Sequence, residues 1–244
     1  MTEAITFKVL RFDPDKVPLY GDKEGAFQTF TLDVPEGMTV LEALLSIQTE
    51  QDGGLAFRYA CRGAVCGSCA LVINGHIDLA CRVQVRGLGT ETVTLEPLPN
   101  LPVLKDLVVD MEPFFAKNLA VEPWLQPAGA DPDKERLVDP KQWAGAEPYT
   151  NCILCASCYG VCPAAERDPA YLGPAALAKH YRFLADVRDA ADEKRLALVD
   201  GEQGVEGCDM VWNCVEVCPK GVSPTQGIGK TRARIRRAKR ERKT

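Results

Sequence analysis

The sequence predicts an α+β fold, with sheet in the first hundred residues and helices after them. Three observations carry that expectation. Phe7 to Phe12 and Phe27 to Val34 alternate apolar and polar residues with a period of two, as half-buried strands do. Pro97, Pro99 and Pro102 then interrupt regular structure. Beyond them the spacing becomes helical: Leu107, Met111, Phe114 and Phe115, then Leu177, Tyr181, Leu184 and Val187 behind Pro174. The expected domains are therefore 1–102 and 103–244.

Within the first domain, Thr39 and Glu42 make a capping-box pair ahead of a helix whose apolar face is Val40, Leu41, Leu44 and Leu45. Ala70 to Ile73, the Asn74-Gly75 dipeptide and Ile77 to Leu79 read as a hairpin with a tight turn. Thr92 to Leu95 adds a short strand. In the second domain, Gln126 to Pro148 is rich in Pro, Gly and charge, which predicts an irregular surface connection.

With 46% apolar and 26% charged residues over 244 positions, the chain can bury a core and is not a disordered polyelectrolyte. No stretch approaches the roughly 18 apolar residues of a membrane span. Met1 to Phe7 has neither a basic nor an apolar leader region, so no secretory signal is expected. Charge is uneven. The net is −5, yet the last fifteen residues, Lys230 to Thr244, hold nine Lys or Arg against one Glu, a local +8 that leaves −13 on the preceding 229. So acidic a body excludes nucleic acid as a partner. Two readings of the tail stand open. It is a solvated basic terminus, or it is drawn to anionic lipid on a cytoplasmic leaflet, where each basic residue adds about 1 kcal/mol.

Eleven cysteines are the anomaly, because a chain kept in a reducing compartment does not use them as disulfides and an odd number cannot all pair. They are predicted metal ligands, in three sets. Cys61, Cys66 and Cys69 have C-x4-C-x2-C spacing with Cys81 twelve positions on, the plant-type arrangement for a [2Fe–2S] cluster. Gly63, Ala64, Gly67 and Ser68 are small enough for backbone N–H groups to point at the sulfurs, and the hairpin would return Cys81. Arg58 and Arg62 flank the loop, either raising the potential or standing as exposed guards. Zinc knuckles favour paired C-x2-C units, which argues against zinc.

Cys152, Cys155, Cys158 and Cys162, followed by Pro163, form the bacterial C-x2-C-x2-C-x3-C-P run, whose fourth cysteine characteristically serves the other cluster. The partner run is Cys208, Val211, Cys214, Cys218 and Pro219, in the same register with valine in place of one thiolate. Exchanging the fourth cysteines assigns Cys152, Cys155, Cys158 and Cys218 to a [4Fe–4S] cluster. Cys162, Cys208 and Cys214 remain. With Val211 at the fourth-ligand position, a [3Fe–4S] cluster is predicted; the alternative is a damaged cubane site with an external fourth ligand.

These sets, with Arg58-Tyr59-Ala60-Cys61-Arg62, Cys66-Gly67-Ser68-Cys69, Leu104 to Met111, Tyr181-Arg182-Phe183-Leu184 and Cys218-Pro219-Lys220-Gly221, resemble the iron–sulfur subunit of succinate dehydrogenase and fumarate reductase over nearly the whole chain. The resemblance implies an N-terminal β-grasp plant-type ferredoxin domain and a C-terminal all-α two-cluster ferredoxin domain. It implies a subunit of the respiratory chain and tricarboxylic acid cycle that passes electrons singly from FAD in a flavoprotein partner through [2Fe–2S], [4Fe–4S] and [3Fe–4S] to quinone. It further implies a peripheral position on the cytoplasmic face of the cell membrane, held by hydrophobic anchor subunits that in some relatives carry haem, with quinone at that interface. Two departures stand out. Arg167 stands where many ubiquinone-using relatives have tryptophan, and Asp209 where they have histidine, so their quinone contacts do not transfer. Menaquinone, or a differently placed quinone, is therefore a second expectation.

No catalytic residue is singled out for substrate chemistry. Of the two histidines, His76 falls in the hairpin and His180 on a helix, both read as structural or exposed. Gly229-Lys230-Thr231 ends like a phosphate-binding loop, but Pro224 stands where its first glycine belongs. The competing readings are a fumarate reductase subunit working in reverse, a soluble multi-cluster shuttle, and a subunit of another respiratory flavoenzyme, against which Val211 speaks.

Overall fold

The structure, a computed structural model, describes residues 2–13, 26–130 and 132–242. In chain order, β1 (Glu3–Leu10), β2 (Phe27–Val34), α1 (Val40–Glu50), β3 (Ala70–Ile73), β4 (His76–Leu79) and β5 (Thr92–Glu96) come first. The short strands β6 (Val103–Lys105) and β7 (Val108–Val109) follow, then α2 (Glu112–Ala120), α3 (Pro140–Trp143), α4 (Glu147–Thr150), α5 (Ser157–Gly160) and α6 (Pro163–Arg167). The remaining elements are α7 (Gly173–Leu184), α8 (Asp192–Val199), α9 (Asn213–Glu216) and α10 (Pro224–Glu241). They pack as two units, Met1–Met111 with Ile153–Gly160, and Glu112–Cys152 with Val161–Thr244.

The first unit is built on a mixed sheet of order β2-β1-β5-β3-β4, in which β1 and β5 are parallel and the other pairs antiparallel. The period-two pattern buries Ile5, Phe7 and Val9 of β1. The capping box forms as predicted, Thr39 Oγ1 accepting the Glu42 N–H and Glu42 accepting the Thr39 N–H, and α1 buries Val40, Leu41, Leu44 and Ile47. A helix grasped by a mixed sheet is the β-grasp arrangement.

Packing carries this unit past the prolines that set the expected boundary at residue 102. Asp106 turns between β6 and β7 with a left-handed φ of 45° and is buried. Its carboxylate accepts from Arg11 Nε (2.9 Å), the Phe12 N–H (3.1 Å) and the Ala56 N–H (2.9 Å). Leu107 is therefore a hairpin residue and not the first position of a helical stripe; the helix begins only at Glu112. Asn100 Nδ2 donates to the carbonyls of Tyr159 (3.0 Å) and Gly160 (3.2 Å), tying the Ile153–Gly160 segment to the same unit.

In the second unit α7 is buried on almost every side, and α10 packs against it. Gly227 makes that approach close: a Cβ there would stand 3.0 Å from Tyr149 Cε1 and 3.2 Å from Tyr181 Cβ. The α7 stripe stops at Leu184. Asp186 then binds Arg188, and Val187, expected on the buried face, is exposed. Most of the predicted irregular stretch is irregular, with α3 started by the Asp139 side chain capping Lys141 N–H.

The basic tail is not a free terminus. As far as Glu241 it is helix, with Ile228, Thr231 and Ile235 buried, Arg234 donating to the Leu184 carbonyl and Lys239 paired with Asp200 at 2.8 Å. Lys243 and Thr244 lie outside the described residues. Gly229-Lys230-Thr231 falls inside this helix, so it forms no phosphate loop.

A buried ion pair anchors the second unit. The Arg195 guanidinium, wholly enclosed, donates to both Asp189 oxygens (2.8 and 2.6 Å) and to the carbonyls of Glu122 (3.1 Å) and Trp124 (2.7 Å). His180, buried beneath it, shares its Nε2 with the Arg195 carbonyl (2.8 Å), and burial lowers its pKa to about 4. Arg195→Ala would leave the Asp189 carboxylate enclosed without its cation, and is expected to cost about 3–5 kcal/mol of stability. A thermal melt of the intact protein checks it; an unchanged midpoint would remove this pair from the account of stability.

Candidate functional site

The first cysteine set lies in a loop whose backbone repeatedly turns left-handed. Arg62 and Ala64 have φ of 55°, and Gly67 of 76°. The result is a ring of inward N–H groups. Cys61 Sγ accepts from Gly63 (3.4 Å), Val65 (3.3 Å) and Cys66 (3.3 Å), and Cys81 Sγ accepts from Ala64 (3.3 Å). The hairpin behaves as its turn chemistry predicts. Asn74 and Gly75 take φ of 49° and 79°, Ala70 pairs with Leu79, and the Ala80 N–H meets the Cys69 carbonyl at 3.0 Å. Cys81 returns beside Cys69, whose thiol in turn feels Cys66.

The four thiols differ in environment. Three backbone N–H groups, that of Gly63 foremost, hold the exposed Cys61 thiol down to about 6, whereas burial pushes Cys69 up to about 12. Of the flanking arginines, Arg58 donates to the Val109 carbonyl (2.7 Å) and Arg62 lies 5.3 Å over the Tyr59 ring. Both are thus engaged in holding the loop.

Gly67 also touches the second set. A Cβ on it would stand 2.7 Å from Cys155 Cβ and 2.9 Å from Cys155 Cα, so the loop of the first set lies directly against the Cys155 backbone. Cys155 Sγ is 3.3 Å from Ser157 Oγ. Cys155 and Cys158 belong to the first unit, Cys152 and Cys218 to the second. In the second unit Cys152 and Cys218 pack on one apolar cluster of Tyr149, Ala178, Tyr181, Leu184 and Val222. The Val222 N–H donates to Cys218 Sγ (3.3 Å), and Lys179 Nζ to the Cys152 carbonyl (3.1 Å).

Cys162, Cys208 and Cys214 line one cavity, together with Val211, Pro174 and Ile228. Burial raises the pKa of Cys162 and Cys214; Cys162 also feels Cys208 and Asp209, and Cys214 feels Cys208 and Cys162. Met210 N–H donates to Cys208 Sγ (3.4 Å), and Thr225 Oγ1 lies 3.0 Å from Cys214 Sγ. Val211 lies between two left-handed residues, Met210 (φ 57°) and Trp212 (φ 67°). Cys155 lies between Leu154 (φ 54°) and Ala156 (φ 63°). The valine therefore has the same left-handed backbone neighbours as Cys155 but no thiol. It is 51% exposed, so this chain alone does not enclose it.

Residues 6–116 match the family described as a 2Fe-2S iron-sulfur cluster binding domain, and residues 148–222 match the 4Fe-4S dicluster domain. The succinate dehydrogenase iron-sulfur subunit of Coxiella burnetii is 37% identical over 234 residues, 95% of this chain and 97% of that one. The chain belongs to the succinate dehydrogenase iron–sulfur subunit family. A mitochondrial member, iron-sulfur subunit 1 of Oryza sativa subsp. japonica succinate dehydrogenase [ubiquinone], is 38% identical over 91% of this chain and 79% of its own length. Among solved structures, a chain of the Mycobacterium smegmatis Sdh1 complex in the apo form superposes with a TM-score of 0.86 at 26% identity, covering 96% of each.

As a succinate dehydrogenase iron–sulfur subunit, the chain is an electron-transfer component of an oxidoreductase complex and carries 2Fe-2S and 4Fe-4S cluster domains. The donor set fits such groups. Among the described residues no three His, Cys, Asp or Glu side chains converge to hold a single metal ion. A cluster asks for something else, since its cysteine thiolates are distributed over several irons. N–H groups directed at Cys61, Cys81, Cys208 and Cys218, and the Thr225 hydroxyl beside Cys214, supply the rest of the fit.

Three features escape sequence reading. Arg167 and Asp209, the two departures noted above, form a two-pronged ion pair with both N···O distances 3.0 Å, linking the Cys162 and Cys208 loops. The Gly67–Cys155 approach joins residues 88 positions apart, and the buried hydroxyl of Tyr171 has no hydrogen-bond partner. Only the mutual charge of Arg167 and Asp209 offered any signal in the sequence.

Gly67→Ala should be more damaging than Gly75→Ala. Both positions are left-handed, at a cost of about 1 kcal/mol or more for alanine, but only at Gly67 does the new methyl meet backbone; at Gly75 nothing lies within 4 Å. Paired thermal melts check the order; equal losses would mean that the Cys155 contact is not tight.

Proposed function

We propose that this chain passes electrons one at a time from a flavin on a flavoprotein partner to quinone, through three iron–sulfur centres. Cys61, Cys66, Cys69 and Cys81 would hold [2Fe–2S]. Cys152, Cys155, Cys158 and Cys218 would hold [4Fe–4S], and Cys162, Cys208 and Cys214 would hold [3Fe–4S]. The observation that carries this reading is Val211, set in a loop with the left-handed residues of the Cys155 loop and lining one cavity with three thiols.

When bound, such clusters supply one-electron carriers whose potentials respond to burial and hydrogen bonds to sulfur. The chain's own part is to supply those terms. The N–H groups of Gly63, Ala64, Val65 and Cys66 offset negative charge on Cys61 and Cys81, and the small side of Gly67 keeps the Cys155 loop near. The proposed order of transfer, [2Fe–2S] before [4Fe–4S], follows that proximity. The last step, to quinone, rests on the family resemblance.

Among the described residues no helix is long and apolar enough to cross a membrane. On the family resemblance, we assign attachment to hydrophobic anchor subunits, on the cytoplasmic face of the cell membrane. Asp209 lines the three-cysteine cavity and pairs with Arg167, so a quinone there would meet an ion pair in place of the tryptophan and histidine that the family resemblance implies.

Anaerobically isolated protein should hold about nine irons (two, four and three). Val211→Cys restores a thiolate and should convert the three-iron EPR signal to that of a cubane; persistence of the original signal would refute the reading of this corner. Cys81→Ser should perturb the [2Fe–2S] signal alone. If the other signals vanished and that one survived, the ligand sets would be misassigned.

A further inference from the structure

Tyr171 is among the largest wholly buried side chains, with 1% of its surface exposed, and its hydroxyl makes no hydrogen bond. An enclosed O–H without an acceptor is destabilising, a cost that a phenylalanine of the same shape would avoid. The backbone explains where the ring goes. Tyr171 N–H binds the Asp168 carbonyl (3.0 Å), and Leu172 N–H binds the Gln203 carbonyl (2.8 Å), which draws the segment against the turn leading into Cys208. Gly207 leaves the ring its space, since a Cβ there would come within 3.1 Å of Tyr171 Cδ2. Cys208, Cys162 and Cys214 all bear electrostatically on the hydroxyl, and Cys208 comes within reach without meeting the geometry of a hydrogen bond. The unmatched donor therefore lies beside the three-thiol site.

We propose that the Tyr171 hydroxyl donates a hydrogen bond to sulfur of the three-iron centre held by Cys162, Cys208 and Cys214, and so raises the reduction potential of that centre. This rests on the cluster reading above. The physical reason is charge. One added electron, delivered along the chain of carriers, increases the negative charge on sulfur while no bond forms or breaks. A donor in a low-dielectric interior then stabilises the reduced form more than the oxidised one. Met210 N–H and Thr225 Oγ1 already attend Cys208 and Cys214, so Tyr171 adds a donor and does not replace one.

The test is an EPR-monitored redox titration of the intact complex, purified with its partner subunits. Tyr171→Phe keeps the ring and deletes the donor, and should lower the midpoint of the three-iron centre while leaving those of the other two clusters unmoved. Fluorotyrosine placed at position 171 is a stronger donor of nearly the same shape and should move the same midpoint upward. It also decides the matter alone if the phenylalanine variant fails to assemble. Unchanged midpoints, or shifts of one sign in both variants, would overturn the role of Tyr171. Absence of any three-iron signal from the unmodified complex would instead overturn the cluster reading on which it rests.

Discussion

Sulfur that carries negative charge inside a protein must be met by donors, and short loops supply many of them from the backbone. That constraint organises this chain. Right-handed residues send successive N–H groups away from a common point; a left-handed residue reverses one of them. Arg62, Ala64, Leu154, Ala156, Met210 and Trp212 all adopt φ between 54° and 67°, and every one lies within two residues of a cysteine or immediately beside Val211. Such residues cost on the order of 1–3 kcal/mol each when glycine is absent. Their concentration at the cysteine loops, where N–H groups face Cys61, Cys81 and Cys208, ties the strain to sulfur.

The scaffolds differ because their loops make different demands. The β3–β4 hairpin returns Cys81 beside Cys69 by register alone, since pairing Ala70 with Leu79 fixes where the following residues go. In the helical unit no register exists. Position there comes from close packing of α7 and α10 through small residues, and from the enclosed Arg195–Asp189 pair beside His180. The first device tolerates surface change, while the second depends on a few buried polar groups whose loss leaves charge without a partner.

Electrostatics also accounts for Arg167 and Asp209. They lie in separate loops, and either charge alone would be left without its counter-ion near the cysteines. Together they neutralise each other, and the pairing lowers the pKa of Asp209. The basic C-terminal helix follows similar logic. Its buried stripe of Ile228, Thr231 and Ile235 joins the core, and part of its positive charge is taken up by Asp200, Asp192 and Glu206.

Much of this was legible in residue order because the relevant interactions are local. The strand alternation, the Thr39–Glu42 cap and the Asn74-Gly75 turn each depend on neighbours within a few positions, and the cysteine spacings are set by loop geometry of the same range. The helix starts only after Met111, later than the spacing from Leu107 predicts, because Asp106, reaching Arg11 and Ala56 far along the chain, turns the backbone first. Val187 left its expected stripe for a similar reason, with Asp186 ending α7 through Arg188. Residue order alone thus determined the two-part α+β architecture, the cysteine spacings and the odd place of Val211. Tertiary structure decided the contact of Gly67 with Cys155, the pairing of Arg167 with Asp209 and the enclosure of the Tyr171 hydroxyl. Contacts of that kind arise from where distant segments close on one another, and no periodicity along the chain encodes the meeting point.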